Sequence, residues 1–155
     1  MFQIRTVLIE LHSWVWIGIV LARVTVGALF LLSGGGKLFV KERREQMRQT
    51  LRNAQVPFPD LNAILVSTVE FVFGFLLIVG AATPLACVML SGVMIVAIFT
   101  NAVRTIKSSS PISWLSEFLY LPEVLYLVIL AWLFLSGPGW LSVDHLLLSK
   151  AHLFL

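Results

Sequence analysis

The sequence predicts an all-α integral membrane protein, a four-helix bundle with an interfacial amphipathic helix in its first long loop. Three observations carry that prediction. Hydrophobic residues fill 59% of the 155 positions and charged residues only 12%, with a mean hydropathy of +0.95. A water-soluble domain is about half apolar and about a quarter charged, so this chain has too little polar surface to cover itself. Four apolar segments each approach the roughly 20 residues that a helix needs to cross a bilayer core. The basic residues, finally, concentrate in one connecting loop. At this length a single transmembrane domain over residues 1–155 is expected, with no room for a separate catalytic domain.

The spans read as residues 14–34, 61–80, 84–103 and 118–136. The first carries Arg23 in its middle and lacks a small-x-small cleavage site, so it is expected to remain as a span. Gly34, Gly35 and Gly36 read as its end. Pro57 and Pro59 stop whatever precedes the second span, and Asp60 reads as that helix's N-cap. The short turn from Gly80 to Pro84 makes the second and third spans an antiparallel hairpin. Ser136-Gly137-Pro138-Gly139 closes the fourth. Between the first two spans, residues 40–55 place Val40, Met47, Leu51 and Ala54 on one helical stripe. Lys41, Arg44, Arg48 and Arg52 fall on the adjoining face. A helix lying in the bilayer interface has this pattern, its basic side chains near anionic headgroups; a solvated linker helix is the plainer alternative.

Counting Lys and Arg sets the expected topology. The first and third loops hold eight of them, namely Lys37, Lys41, Arg43, Arg44, Arg48, Arg52, Arg104 and Lys107, against Arg5 and Lys150 on the other side. The positive-inside rule then places the long loops in the cytoplasm and both termini outside. Trp14, Trp16, Trp114 and Trp140 lie near span ends, as in an aromatic belt. The net charge of +3 is thus a topology signal, and no nucleic-acid partner is expected.

Arg23, Glu70 and Glu123 lie inside apolar spans. A charge at the bilayer centre costs about 2.5–3.5 kcal/mol even on the lenient insertion scale, so such residues must face the bundle interior and find partners. Arg23 and Glu70 sit near the middles of their spans and are expected to pair. Arg23, Gly27, Phe30, Gly34 and Lys37 share one helical face, and Ser67, Glu70 and Gly74 make a similar face on span two. Gly27, Gly34 and Gly74 are expected to let helices or a ligand approach closely. Glu123, early in span four, reads either as a capped acid paired with Lys37 or Arg104 or as part of a functional cavity. Tyr120 and Tyr126 flank it at spacing three, and Asn101 either joins the cavity or bonds to backbone. For Arg23 and Glu70 the plainer reading is a structural pair that fixes helix packing.

Other chemistry is thinly represented. Cys87 is the single cysteine, which excludes an internal disulfide and any CxxC pair. With Met89 and Met94 it offers soft ligands, but such residues more often fill gaps in a core, and no metal site is expected. His12, His145 and His152 lie at the chain ends, which argues against a haem between buried imidazoles. Asp144-His145 reads as a capping or surface pair. Without a nucleophile–base pair or phosphate loop, an enzyme acting alone is not expected.

The order and spacing of several short patterns resemble the DoxX family, small four-helix bacterial membrane proteins. They are Ala22-Arg23 with Gly27 and Phe30, Ser33-Gly34 with Lys37, Val56-Pro57, Val69-Glu70 with Gly74, and Thr83-Pro84. Leu119-Tyr120, Glu123-Val124-Leu125-Tyr126 and Gly137-Pro138-Gly139 with Asp144 complete the set. The resemblance implies a multi-pass protein of the bacterial inner membrane in a redox or thiol-stress setting, and it fixes no particular reaction. The single cysteine departs from the dithiol-handling branches.

Taken with the buried charges, it leads us to expect an accessory subunit of a membrane oxidoreductase system. Arg23, Lys37, Glu70 and Glu123 would line a cavity for a small molecule, with a quinone as candidate ligand and no bound metal or covalent cofactor. A membrane-protein partner or a second copy is expected beside the lipid bilayer. A small transporter or channel component and a non-catalytic scaffold are the alternatives.

Overall fold

The computed structural model describes residues 14–106 and 110–151, and among these all regular structure is helical. Helix α1 runs Val15–Phe39, about 37 Å at 1.5 Å per residue. Gly34–Gly36 do not end it, contrary to the sequence expectation. Glycine inside a helix costs roughly 1 kcal/mol relative to alanine, but here tertiary packing needs the missing side chains. A Cβ on Gly34 would lie 2.5 Å from the Phe71 nitrogen, and one on Gly27 would lie 2.8 Å from the Gly74 carbonyl oxygen. Val40, in extended conformation, stops α1, and α2 (Lys41–Asn53) follows at once.

Helix α2 folds back against α1 and α3, burying Leu51. Three of its four arginines are engaged with the protein: Arg48 Nε lies 3.0 Å and Arg52 Nη2 3.9 Å from Asp60 Oδ1, and Arg44 donates to the Leu38 carbonyl. Lys41 stays exposed. Asp60 is therefore not the N-cap of α3 (Pro59–Val79). The cap position is Phe58, left-handed at φ 49°, and Asp60 sits in the first turn facing the arginines of α2. Helix α3 ends at Gly80, φ 68°, where the Ala81 amide returns to the Leu76 carbonyl at 3.0 Å.

Helix α4 (Thr83–Ala97) continues through a π-helical stretch, Ile98–Ala102, and one last turn, Val103–Thr105. The fourth span departs from its expected start at residue 118. Pro122 confines Leu121 to an extended conformation (φ −64°, ψ 129°). The segment splits into α5 (Pro111–Leu119) and α6 (Pro122–Ser136), bent by 59°. Among the described residues three helices are long and apolar enough to cross a membrane, or four if the bent pair is one span. Helix α5 buries no residue. It carries Ile112, Leu115 and Leu119 with a stacked Trp114–Phe118 pair on one arc and Ser113, Ser116 and Glu117 on the other. Helix α7 (Val143–Ala151) ends the described chain.

The bundle closes as a ring: α1 against α3, α3 against α4, α4 against α6, and α6 back against α1. Its core is Val26, Phe30, Leu77, Ala86, Leu90, Leu130 and Leu133, all but fully buried. Leu32, Phe75, Val88 and Leu135 point outward, the distribution that suits a bundle solvated by lipid. Together these features make the chain a multi-pass membrane bundle. Replacing Gly74 with valine should be among the most damaging substitutions on the α1–α3 contact, because its Cβ would meet the Leu31 nitrogen at 2.6 Å and the Gly27 oxygen at 2.9 Å. A loss of at least 1–3 kcal/mol, roughly the overpacking range, is expected in detergent-micelle unfolding. The same change at Gly92, which has open space around it, should be near neutral.

Candidate functional site

Helix register decides which buried charges meet. With Gly27 facing Gly74 in an antiparallel pair, Glu70 falls beside the turn of α1 that carries Ser33, and Arg23 falls beside the end of α3. The expected Arg23–Glu70 pair is therefore not formed. Equal depth along each sequence segment was misleading, since α1 extends well beyond α3 at its N-terminal end. The two residues sit at levels about 15 Å apart, the rise of the ten residues from Glu70 to Gly80.

Glu70 pairs instead with Lys37, whose Nζ lies 2.8 Å from Oε1 and 2.7 Å from Oε2. Ser33 Oγ donates to Oε2 at 3.1 Å. Only 4% of the Glu70 side chain is exposed, against 23% for Lys37, so the acid is the buried partner and the base reaches in from the rim. A desolvated carboxylate requires such compensation.

This cluster borders a cavity of about 250 Å³ between the helices at the α2 end of the bundle. Leu29, Phe30, Val93 and Met94 give it apolar walls, Met47, Thr50 and Leu51 of α2 cover it, and Glu123 and Tyr126 enter from α6. Among the described residues Glu123 Oε2 is buried without a hydrogen-bond partner, and Lys37 is committed to Glu70, so the expected Glu123–Lys37 pairing is not formed. Tyr126 packs edge-on against Phe30, ring centres 5.9 Å apart, whereas Tyr120 is exposed and lies outside the cavity. Asn101 lies in the π-helical stretch and Arg104 in the turn after it; their side chains fall outside the described residues. An adjoining chamber of about 410 Å³ shares Ser33, Lys37, Met47 and Thr50 and adds Arg43 and Gln46.

Arg23 forms a second polar centre at the opposite end. Its guanidinium donates to the carbonyls of Pro138 and Leu141, in the segment between α6 and α7. Asp144 completes the arrangement as a helix cap, accepting the Ala82 amide at 2.7 Å and the Thr83 amide at 2.8 Å at the start of α4. Burial alone would raise the Asp144 pKa, but those amides and the charge of Arg23 outweigh it and hold the carboxyl below the usual carboxylate range.

The arrangement defines a class: a helical membrane bundle sealed at one end by an arginine and holding an acid–base cavity at the other. The sequence profile of the DoxX family matches residues 18–102, more than half the chain, and the protein belongs to that family. The match spans Arg23, Lys37 and Glu70, while Glu123, Tyr126 and Asp144 lie beyond it. No curated protein and no solved structure gives a match. Among the described residues, no group of three or more His, Cys, Asp or Glu has metal-binding geometry.

Sequence reasoning offered capping for Asp144 without the helix it caps, and it missed the cover supplied by Met47 and Leu51 and the partner of Glu70. The register implied by Gly27 and Gly74 was the signal that could have found the last.

Two predictions test these centres. Lys37→Met leaves the Glu70 carboxylate without its base and should cost roughly 3 kcal/mol, the low end for breaking a buried pair because Lys37 is partly exposed. The double variant Lys37→Met/Glu70→Leu should recover most of that in micelle unfolding. Asp144 has a depressed folded pKa, so its contribution is present above the unfolded carboxylate value and disappears as pH falls through the folded one. Melting followed below pH 4 should show an acid-side loss that Asp144→Asn flattens.

Proposed function

We propose that the protein is an accessory subunit of a membrane redox system and that its cavity binds a small, membrane-dissolved molecule, a quinone or a one-ring amphiphile of similar size. The observation that carries this reading is the juxtaposition of the Lys37–Glu70 pair and an unpartnered Glu123 oxygen around a largely apolar void of about 250 Å³. A pair whose only duty is to fix packing has no need to border a void. The volume lies just below the ~300–1,000 Å³ usual for drug-sized ligands and suits a single head group whose tail remains in lipid. Buried carboxylates can exchange protons with such a ligand, and membership of a family often tied to redox systems supports the setting. Lys37, Glu70, Glu123 and Tyr126 carry the site. Arg23 has no part in it, because its guanidinium is bound to backbone carbonyls at the far end.

By the positive-inside rule the cavity end faces the cytoplasm of a bacterial inner membrane. The alternatives are less well supported. Transport would require the Arg23 end to open, where Arg23 and Asp144 tie the segment between α6 and α7 to the start of α4. A scaffold using Gly27, Gly34 and Gly74 as docking faces is disfavoured because all three are consumed inside the α1–α3 contact. Partner proteins or a second copy must therefore use other surfaces.

Native mass spectrometry after gentle extraction tests the reading. Wild type should retain a small apolar molecule that Glu70→Gln loses while still folding. A wild type that is empty, and that takes up no quinone in lipid nanodiscs, would make the pair architectural and sink the proposal.

A further inference from the structure

The cavity wall is short of acceptors' partners rather than of acceptors. Four of its residues bear hydroxyls, and three of these are committed to the protein. Ser33 donates to Glu70, Thr50 to the Gln46 carbonyl at 2.9 Å, and Thr100 to the Val96 carbonyl at 2.8 Å. Lys37 directs its protons at both oxygens of Glu70. Among the described residues, what remains is the Tyr126 hydroxyl and the buried, unanswered Oε2 of Glu123. Leaving a buried carboxylate oxygen without a donor costs more than an ordinary hydrogen bond contributes. A ligand group that answers the Glu123 oxygen is therefore a donor.

We infer that the cavity selects a ligand whose ring presents an O–H donor to Glu123, a hydroxyaromatic head, over the same ring bearing only carbonyl acceptors. The inference rests on reading the cavity as a small-molecule site and adds the chemical class it prefers. Two further features fit. The ammonium that would otherwise hold a carbonyl is already engaged by Glu70. Phe30 and Tyr126, edge to face at 5.9 Å, offer an aromatic wall against which a ring can pack. Glu123 and Tyr126, three residues apart on α6, lie on one helix face, so donor recognition and ring contact come from the same element.

The test compares an alkyl hydroquinone with its oxidised quinone, the same tail on both, by anaerobic calorimetry on the full chain in nanodiscs. A hydrogen bond to a charged acceptor should make the hydroquinone bind about tenfold or more tightly than the quinone. Glu123→Gln removes the charge and adds N–H donors, so the ratio should fall close to one. Equal affinity of wild type for both forms overturns this inference and leaves the small-molecule site standing. A preference that survives Glu123→Gln removes Glu123 from the recognition and overturns it as well. If neither form binds wild type, the site reading itself fails and the inference falls with it.

Discussion

The structure depends on one close approach, the contact of two helix backbones at Gly27 and Gly74. In lipid there is no hydrophobic force to draw apolar helices together, so association relies on packing and on polar contacts between them. A Cβ on either glycine would lie within 3 Å of the other helix's backbone, so only glycine permits this approach. Once made, the contact fixes the register of α1 against α3 along their whole shared length. Gly34 repeats the contact two turns on, against Ser67 and Phe71. The buried charges of α1 and α3 are then placed by that register: Glu70 meets Ser33 and Lys37, and Arg23 reaches past the end of α3.

The two polar centres that result are built differently. At the Arg23 end, main-chain groups that a membrane protein must satisfy at helix ends are tied to one another. Arg23 takes two carbonyls, Asp144 takes two amides, and the Asp144 amide itself returns to the Gly80 carbonyl at 3.0 Å. Gly80 must lack a side chain here as well as adopt φ 68°, since a Cβ would sit 2.5 Å from Arg23 Nη1. The ends of α3 and α6 and the starts of α4 and α7 are joined through these residues. Among the described residues each end keeps a buried polar atom unanswered, Arg23 Nε here and Glu123 Oε2 at the Glu70 end, but only the Glu70 end places it beside a cavity.

The fold class was legible because hydropathy and helix punctuation act locally. Span boundaries failed where local signals met tertiary demands. Gly34–Gly36 read as a stop, but α1 passes through them because α3 needs the space that Gly34 leaves. Phe118 read as part of a straight span, yet Pro122 forces Leu121 extended and turns α5 away by 59°. The amphipathic arc of α5, with Ser113, Ser116 and Glu117 together, was present in the sequence and was masked by the apolar run that follows. At the site, Glu70 and Glu123 could be picked out as acids that apolar spans should not contain, Lys37 by its place on the helical face of Arg23 and Gly34, and Tyr126 by its spacing from Glu123. Their pairing could not, because it depends on a register set by glycines rather than on depth.

The cavity's walls are not held with equal strength. The α1–α3 side is locked by interdigitated backbone, and no side chain there can yield. Helix α2 is held by the burial of Leu51, 6% exposed and worth about 1.5–3 kcal/mol, and by ion pairs to Asp60. Asp60 is 56% exposed, and pairs in such surroundings contribute about 0–1 kcal/mol. Moving α2 aside therefore costs far less than parting α1 from α3, and it uncovers Met47, Thr50 and Leu51, the residues that roof the cavity. The bundle combines one rigid seam, which positions Glu70 and Lys37, with one weakly held cover over them. A site that must hold charges in place and still admit a ligand needs both, and the sequence assigns them to different chemistry: glycine for the seam, and a basic helix with one buried leucine for the cover.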